Sequence, residues 1–203
     1  MTTRLAVIHY SATGNVHRLA QAIAEGATEA GAEVRLRKVA ELAPEAAIVA
    51  NPAWVAHRAA TADLPEATLD DLEWADGFAF GSPTRFGLPS AQLKQFLDQT
   101  GGLWAKGLLT DKVGTAFTAA STQHGGLEAT VLAINTVLYH WGSIVLPLGY
   151  TDPAIKETGN PYGASWVSRK GSSPDEAALA SARHQGRRLA AVAGALARLR
   201  QRT

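Results

Sequence analysis

Three short segments carry the residue types that binding a phosphorylated, planar ligand would need. The first is Ser11-Ala12-Thr13-Gly14-Asn15, followed by Val16. Ser11, Thr13 and Asn15 can each donate a hydrogen bond, while Ala12 and Gly14 let the backbone lie close to a ligand. At the start of a helix, such a turn offers free N–H groups and the positive end of the helix dipole to a phosphate. The turn has no lysine, so it is not the G-x-x-x-x-G-K-[ST] loop. No two glycines in the chain stand two residues apart, so G-x-G-x-x-G is absent too. What remains is an uncharged cradle suited to one phosphate monoester. Taken alone, it is only modestly better evidence for phosphate than for an ordinary capped helix. The second segment, Gly81-Ser82-Pro83-Thr84-Arg85-Phe86-Gly87-Leu88-Pro89, reads as a rigid loop with a cationic head. Its amides could face a flat heterocycle. The third, Ala119-Ala120-Ser121-Thr122-Gln123-His124-Gly125-Gly126, runs from small residues into a polar, glycine-rich turn. Each could be a solvated turn, and Arg85 a surface ion-pair partner. Together, at three strand ends on one rim, they favour a ligand site.

Other chemistries lack their residues. There is no cysteine, which removes disulfides, cysteine nucleophiles and thiolate metal sites. The six histidines contain no H-x-x-x-H pair, so no metal site is expected. His9, His17 and His184 read as structural or exposed. No G-x-S-x-G element is present, which argues against an α/β-hydrolase. Six arginines and no acid stand between Arg183 and Arg202. A solvated helix face with cations near its C-terminus accounts for them. The whole chain carries 19 basic and 18 acidic side chains, without the basic excess of a nucleic-acid binder.

The elements that must position these segments follow from periodicity. Arg4 to His9 reads as an apolar strand. Val16, Leu19, Ala20, Ile23 and Ala27 recur at helical spacing up to Gly31. Further strands are expected at 33–39, 77–81, 112–119 and 143–146. Helices are expected from Ser90 to the Gly101–Gly102 pair, over 127–141 and over about 173–200. Alternating strands and helices imply right-handed crossovers and a parallel sheet covered on both faces. Five such strands fit the flavodoxin-like, doubly wound order 2-1-3-4-5, whose ligand sits beyond the carboxyl ends of the strands. With 203 residues, 46% of them hydrophobic, one domain with a real core is expected over 1–203. Two irregular stretches, around 43–72 and 151–174, interrupt it as insertions. Trp54, Tyr162 and Trp166 favour ordered loops there. No apolar run approaches the length of a membrane helix. The first residues enter a strand directly, so a cytoplasmic protein without a secretory leader is expected.

At this level the chain resembles a known family. S-A-T-G-N with Leu19-Ala20 resembles the flavodoxin phosphate loop. G-S-P-T-R-F-G, F-L-D-Q-T-G-G-L-W (Phe96 to Trp104), S-T-Q-H-G-G and N-P-Y-G-A-S (Asn160 to Ser165) resemble the WrbA-type NAD(P)H:quinone oxidoreductases. The likeness spans nearly the whole chain. It implies an FMN-dependent enzyme that moves two electrons from NADH or NADPH to a quinone and forms a homotetramer. Neither nucleic acid nor membrane insertion is implied. The resemblance places Ser11 to Val16 on the FMN phosphate and Pro83, Thr84, Arg85, Phe86 and Gly87 along the ring and ribityl chain. It places Ala119, Ala120, Ser121, Thr122, Gln123, His124 and Gly125 at the other edge. His140 then reaches the flavin site, and Trp104 lines the pocket where nicotinamide and quinone take turns, completed by neighbouring subunits. The family often has an aromatic residue where this chain has Thr13, which bears on nicotinamide binding. A flavodoxin-like one-electron carrier or a regulatory flavoprotein are the alternatives.

Overall fold

The structure, a computed structural model, describes residues 2–200; Arg202, the last of the six arginines, lies outside them. Seven strands form one sheet. Five parallel strands make its spine: β2 (Glu33–Lys38), β1 (Arg4–His9), β3 (Gly77–Arg85), β5 (Val113–Ala120) and β6 (Ile144–Val145), in the order β2-β1-β3-β5-β6. This is the expected doubly wound path. Two short strands were not foreseen: β4 (Leu88–Pro89) pairs antiparallel with β3, and β7 (Ser165–Val167) pairs parallel with the end of β5.

Every residue of β5, and all of β1 after Arg4, is buried, as expected of central strands covered on both faces. Alternation divides them between two cores. Leu5, Val7 and Phe117 pack with Leu19 and Ile23 of α1 (Asn15–Glu29) and with Leu189 of α9 (Glu176–Arg200). Ile8, Phe78 and Phe80 pack on the opposite face with Leu93 of α5 (Ala91–Asp98) and Ile134 of α7 (Leu127–His140). The helices α1 and α9 touch backbone to backbone. A Cβ on Gly26 would lie 2.0 Å from the Arg183 carbonyl oxygen, and one on Gly186 2.0 Å from that of Ile23. Along α9, Arg183 pairs with Glu25 and Glu176, and Arg187 pairs with Glu29.

Several boundaries differ from the expectation. The loop expected at 81–89 is instead the extension of β3 and a two-residue hairpin. Phe86 (φ 55°) and Gly87 (φ 82°) both take positive φ at its tip, as the tight turn between twisted strands requires. Gly101 and Gly102 do not end a helix; they open α6 (Gly101–Ala105), because α5 already ends at Asp98. The last helix starts at Glu176, and the fifth spine strand keeps only Ile144 and Val145. The first insertion folds as α2 (Glu45–Val49), α3 (Pro52–Ala60) and α4 (Leu69–Trp74). Near-buried Asp71 anchors α4. It closes a capping box with Thr68 and pairs with Arg35 and Arg37 of the edge strand β2. The second insertion folds as α8 (Pro153–Thr158), β7 and a 3-10 turn at Arg169–Gly171. Among the described residues, no helix is long and apolar enough to cross a membrane.

Candidate functional site

The carboxyl ends of β1, β3 and β5 bound a cleft of about 180 Å³. From the first turn it receives Ser11, Ala12, Thr13, Asn15 and Val16. Gly14 sits at the N-cap of α1 with φ 102°, a conformation costly for any side-chain-bearing residue. No side chain caps α1; instead Ser11 Oγ accepts the Gly14 N–H at 3.1 Å and folds the turn beneath the helix end. The N–H groups of the first helical turn therefore lack the partner an ordinary cap supplies. Among the described residues, Thr13 and Asn15 make no side-chain hydrogen bond, which leaves both donors available to a ligand.

Pro83, Thr84 and Arg85 enter the cleft from β3, and Ala119, Ala120 and Ser121 from the end of β5. Thr84 ties these two edges together. Its hydroxyl accepts from Gly87 N at 3.2 Å and from Thr130 Oγ1 at 2.7 Å, and faces the Gly125 carbonyl at 3.3 Å. The β3–β4 hairpin is thereby locked to the turn before α7. Among the described residues, the Arg85 guanidinium bonds only to the neighbouring Thr84 carbonyl, at 3.1 Å, so its charge is left facing the cleft. Free helix N–H groups, three neutral donors and one cation fit a phosphate monoester carried on a polar chain.

Not every expected residue lines this cleft. Gly14 shapes the turn rather than the wall. Phe86 is fully exposed because the hairpin tip turns it to solvent, and Gly87 completes that tip. Thr122, Gln123 and His124 lie exposed beyond the rim with Gly125 behind them; Gln123 Oε1 accepts from Arg169 at 3.3 Å. Three contributors were missed: Asn51 and Trp54 of the first insertion, and Ser168 after β7. Ser168 is held by its N–H on the Ala120 carbonyl at 2.7 Å. The tryptophan in an irregular stretch was the available signal; Asn51 and Ser168 gave none.

Trp104 and His140 do come together, with ring centroids 5.4 Å apart. They line a separate groove of about 370 Å³ with Leu97, Thr136 and Trp141, and it shares no residue with the cleft. Neither residue lines the phosphate cleft of its own chain. Next to the groove runs an exposed stripe on α7, namely Ala129, Leu132, Thr136, Tyr139 and His140, flanked by exposed Leu88.

A second cleft, of about 240 Å³, lies beside the first and shares Ser11 and Trp54 with it. His9 and His57 line it, and His17 joins them into a chain. His9 Nε2 lies 3.0 Å from His17 Nδ1, and the His17 and His57 rings are 5.3 Å apart. Burial, reinforced by His17 and His57, pushes the His9 pKa down to about 3. Burial and His57 bring His17 down to about 4. Burial and Lys38 lower His57 as well. The trio is therefore neutral around pH 7. Among the described residues, no group of three or more histidine or acidic side chains is arranged to hold a metal ion.

A doubly wound parallel sheet, with a phosphate-fitting cleft where β1 and β3 meet, defines a flavodoxin-like protein. More narrowly, the chain belongs to the NADPH-dependent FMN reductase family, whose model matches residues 3–152. A protein of Deinococcus radiodurans named NAD(P)H dehydrogenase (quinone) is 47% identical over 186 residues, covering 91% of this chain and 92% of its own length. One of the same name from Syntrophus aciditrophicus is 45% identical over 201 residues, covering 95% and 98%. Among solved structures, the WrbA-like flavodoxin of Agrobacterium tumefaciens superposes with a TM-score of 0.70 at 26% identity, covering 96% of this chain and 99% of that one.

Proposed function

We propose that the protein binds FMN in the β1–β3–β5 cleft and transfers two electrons from NADH or NADPH to quinones. The observation that carries this reading is the convergence of the uncapped α1 terminus, Thr84, Arg85 and Ser121 on one phosphate-sized cleft. The family membership and the names of the relatives agree with it. A one-electron carrier is less well supported, since the chain has near-balanced charge rather than the acidic surface typical of carriers that dock redox partners.

FMN, when bound, would supply the two-electron redox chemistry between nicotinamide and quinone. The chain's residues do the rest. The N–H groups of Asn15 and Val16, with the Ser11, Thr13 and Asn15 side chains, hold the phosphate. Thr84 and Arg85, and beyond them the hairpin tip at Phe86 and Gly87, border the ribityl chain and ring. Ala119, Ala120 and Ser121 close the other edge, with Thr122, Gln123, His124 and Gly125 past it. Trp104 offers a flat face to nicotinamide or quinone. An imidazole nitrogen of His140 donates a hydrogen bond to a quinone oxygen and helps its protonation.

Trp104 and His140 are absent from their own chain's cleft, so on this reading they serve the cleft of another copy. The exposed apolar stripe along α7 (Leu132, Tyr139) supports a homotetramer in which neighbouring copies cover that face. We place the protein in the cytoplasm and read it as one domain. The test is to load the protein with FMN and follow NADH and NADPH oxidation with and without benzoquinone. Flavin bleaching by one nucleotide, reversed by quinone, is the expected result. Bound flavin that neither nucleotide bleaches would refute the reductase.

A further inference from the structure

Glu41, just past β2, gathers donors from four parts of the fold. Its Oε1 accepts the N–H groups of Leu42 and Ala43, each at 2.9 Å, and Nε2 of Gln92 on α5 at 2.8 Å. Its Oε2 accepts the Tyr10 hydroxyl, at the end of β1, at 2.9 Å and the indole Nε1 of Trp54 on α3 at 3.1 Å. Burial alone would raise this carboxyl; the hydrogen bonds from Ala43, Gln92, Tyr10 and Trp54 outweigh it and hold the group below its ordinary value. The side chain is thus an anion at neutral pH, and charge-assisted bonds of this kind are the strong ones.

The helix it holds is otherwise lightly fixed: the Trp54 ring packs against the edge of the core, and His57 meets the His17 ring. None of the nine residues of α3 is buried. The Arg58–Glu45 pair joins α3 only to α2, within the same insertion. Lys38 Nζ grips the chain just after the helix, at the Thr61 carbonyl. Yet Trp54 lines both clefts, beside Ser11. A helix without a buried face is positioned by its tethers, and the Glu41–Trp54 bond is the tether whose donor itself lines the cofactor cleft.

We propose that Glu41 is a positioning residue for the cofactor: its carboxylate fixes the Trp54 indole as a wall of the phosphate cleft, so that α3 closes over bound FMN and slows its release. The proposal rests on the FMN reading above.

The chemistry offers a selective test. The indole N–H is a donor only. In Glu41→Gln, the amide oxygen can still accept from Leu42 and Ala43, and the Tyr10 hydroxyl can rotate to accept from the amide. The amide NH₂ then faces the Trp54 N–H with nothing to accept it. Trp54→Phe keeps an aromatic wall but removes the same bond from the other side, and carries the test if Glu41→Gln folds poorly. The wild type, both single variants and the double variant are loaded with FMN, and flavin fluorescence is followed on dilution as FMN leaves. Each single variant is expected to release FMN about tenfold faster, and the double variant no faster than the singles. Hydrogen exchange should quicken at amides 53–60 of α3 and stay unchanged along α1; a general loss of stability would quicken both. Release at the wild-type rate in the single variants, additive effects in the double variant, or exchange that quickens equally in α1 would overturn the proposal while leaving FMN binding intact. A wild type that retains no FMN would overturn both readings.

Discussion

Ser11, Thr84 and Ser121 reach their cleft from three neighbouring strand ends, whereas Trp104 and His140 meet on the outer face of two helices. The lining of the first region is drawn from elements of one chain. Its polar groups are ordered by local bonds, such as Ser11 Oγ to Gly14 N and Thr130 Oγ1 to Thr84 Oγ1, and buried strands lie beneath it. The second is an open aromatic pair beside an uncovered apolar stripe. A prosthetic group retained through many turnovers needs the first kind of site, preorganised and private to the chain. Substrates that arrive and leave in turn are served by the second kind, where access can be set by assembly.

The largest effect that would break this contrast is on the first region. Thr13→Glu with Asn15→Glu places two carboxylates where the helix end faces a phosphate. FMN affinity should fall by more than about 100-fold, as read by flavin fluorescence titration. A double variant that purifies fully yellow would remove the phosphate from this turn.

Acid sharpens the contrast next, because the neutral histidine trio lies at the second cleft, beside the phosphate cleft, and away from the groove. The folded pKa values of His9 (about 3) and His17 (about 4) lie below their value in the unfolded chain. The unfolded chain therefore binds more protons between those values and about 6.5, so stability is complete above that window and declines as pH falls through it. From pH 7 to pH 5 we expect about 2 kcal/mol from His9 and somewhat less from the less buried His17, a loss on the order of 3 kcal/mol, seen as a lower urea midpoint. His17→Gln should flatten the dependence. Equal midpoints at the two pH values in the wild type would mean that the trio does not titrate as its burial demands.

What the sequence disclosed follows the same division. The strand path and the Ser11–Val16 turn were legible because they depend on short-range signals: an unbroken apolar run over Leu5–Ile8, period-3.6 spacing from Val16 to Ala27, and a small polar turn between them. The hairpin tip was not. Pro83 and Pro89 argue against strand pairing, but the antiparallel register Thr84↔Pro89 and Arg85↔Leu88 needs no N–H from either proline. Nor was Trp54 legible as a cleft wall, since its place depends on a carboxylate 13 residues away at the end of another element. The histidine trio was not foreseen: His9 and His17 read only as structural or exposed, because the path between them runs through space across the βα turn, and His57 arrives from an insertion without periodicity. Separation of the Trp104–His140 groove from the cleft was equally invisible, as motif likeness names residues without saying which copy of the chain they serve.

A smaller effect tests whether the groove belongs to an assembly. Tyr139→Glu puts a charge in the middle of the exposed α7 stripe. On the tetramer reading, sedimentation should show smaller species, and NAD(P)H:quinone turnover should drop by about 20-fold while FMN affinity is retained. A wild-type monomer with full activity would end that reading, and the cleft would have to work with the residues of one chain.

The smallest effect we expect is at Trp104 itself, and it separates the two regions most directly. The side chain is half-exposed, so Trp104→Ala empties no core cavity and should leave the urea midpoint nearly unchanged. It removes one stacking face from the proposed substrate position, which predicts a fall of about fivefold to tenfold in kcat/KM for quinone or NAD(P)H. FMN affinity should stay within about twofold, because no atom of Trp104 lines the phosphate cleft of its own chain. If FMN binding and both substrates weakened together, the groove and the cleft would be one coupled unit, and the division drawn between them would fail. If only substrate use weakened, and weakened further when Tyr139→Glu was added, the aromatic face would be acting across an interface between copies rather than within the chain that carries it.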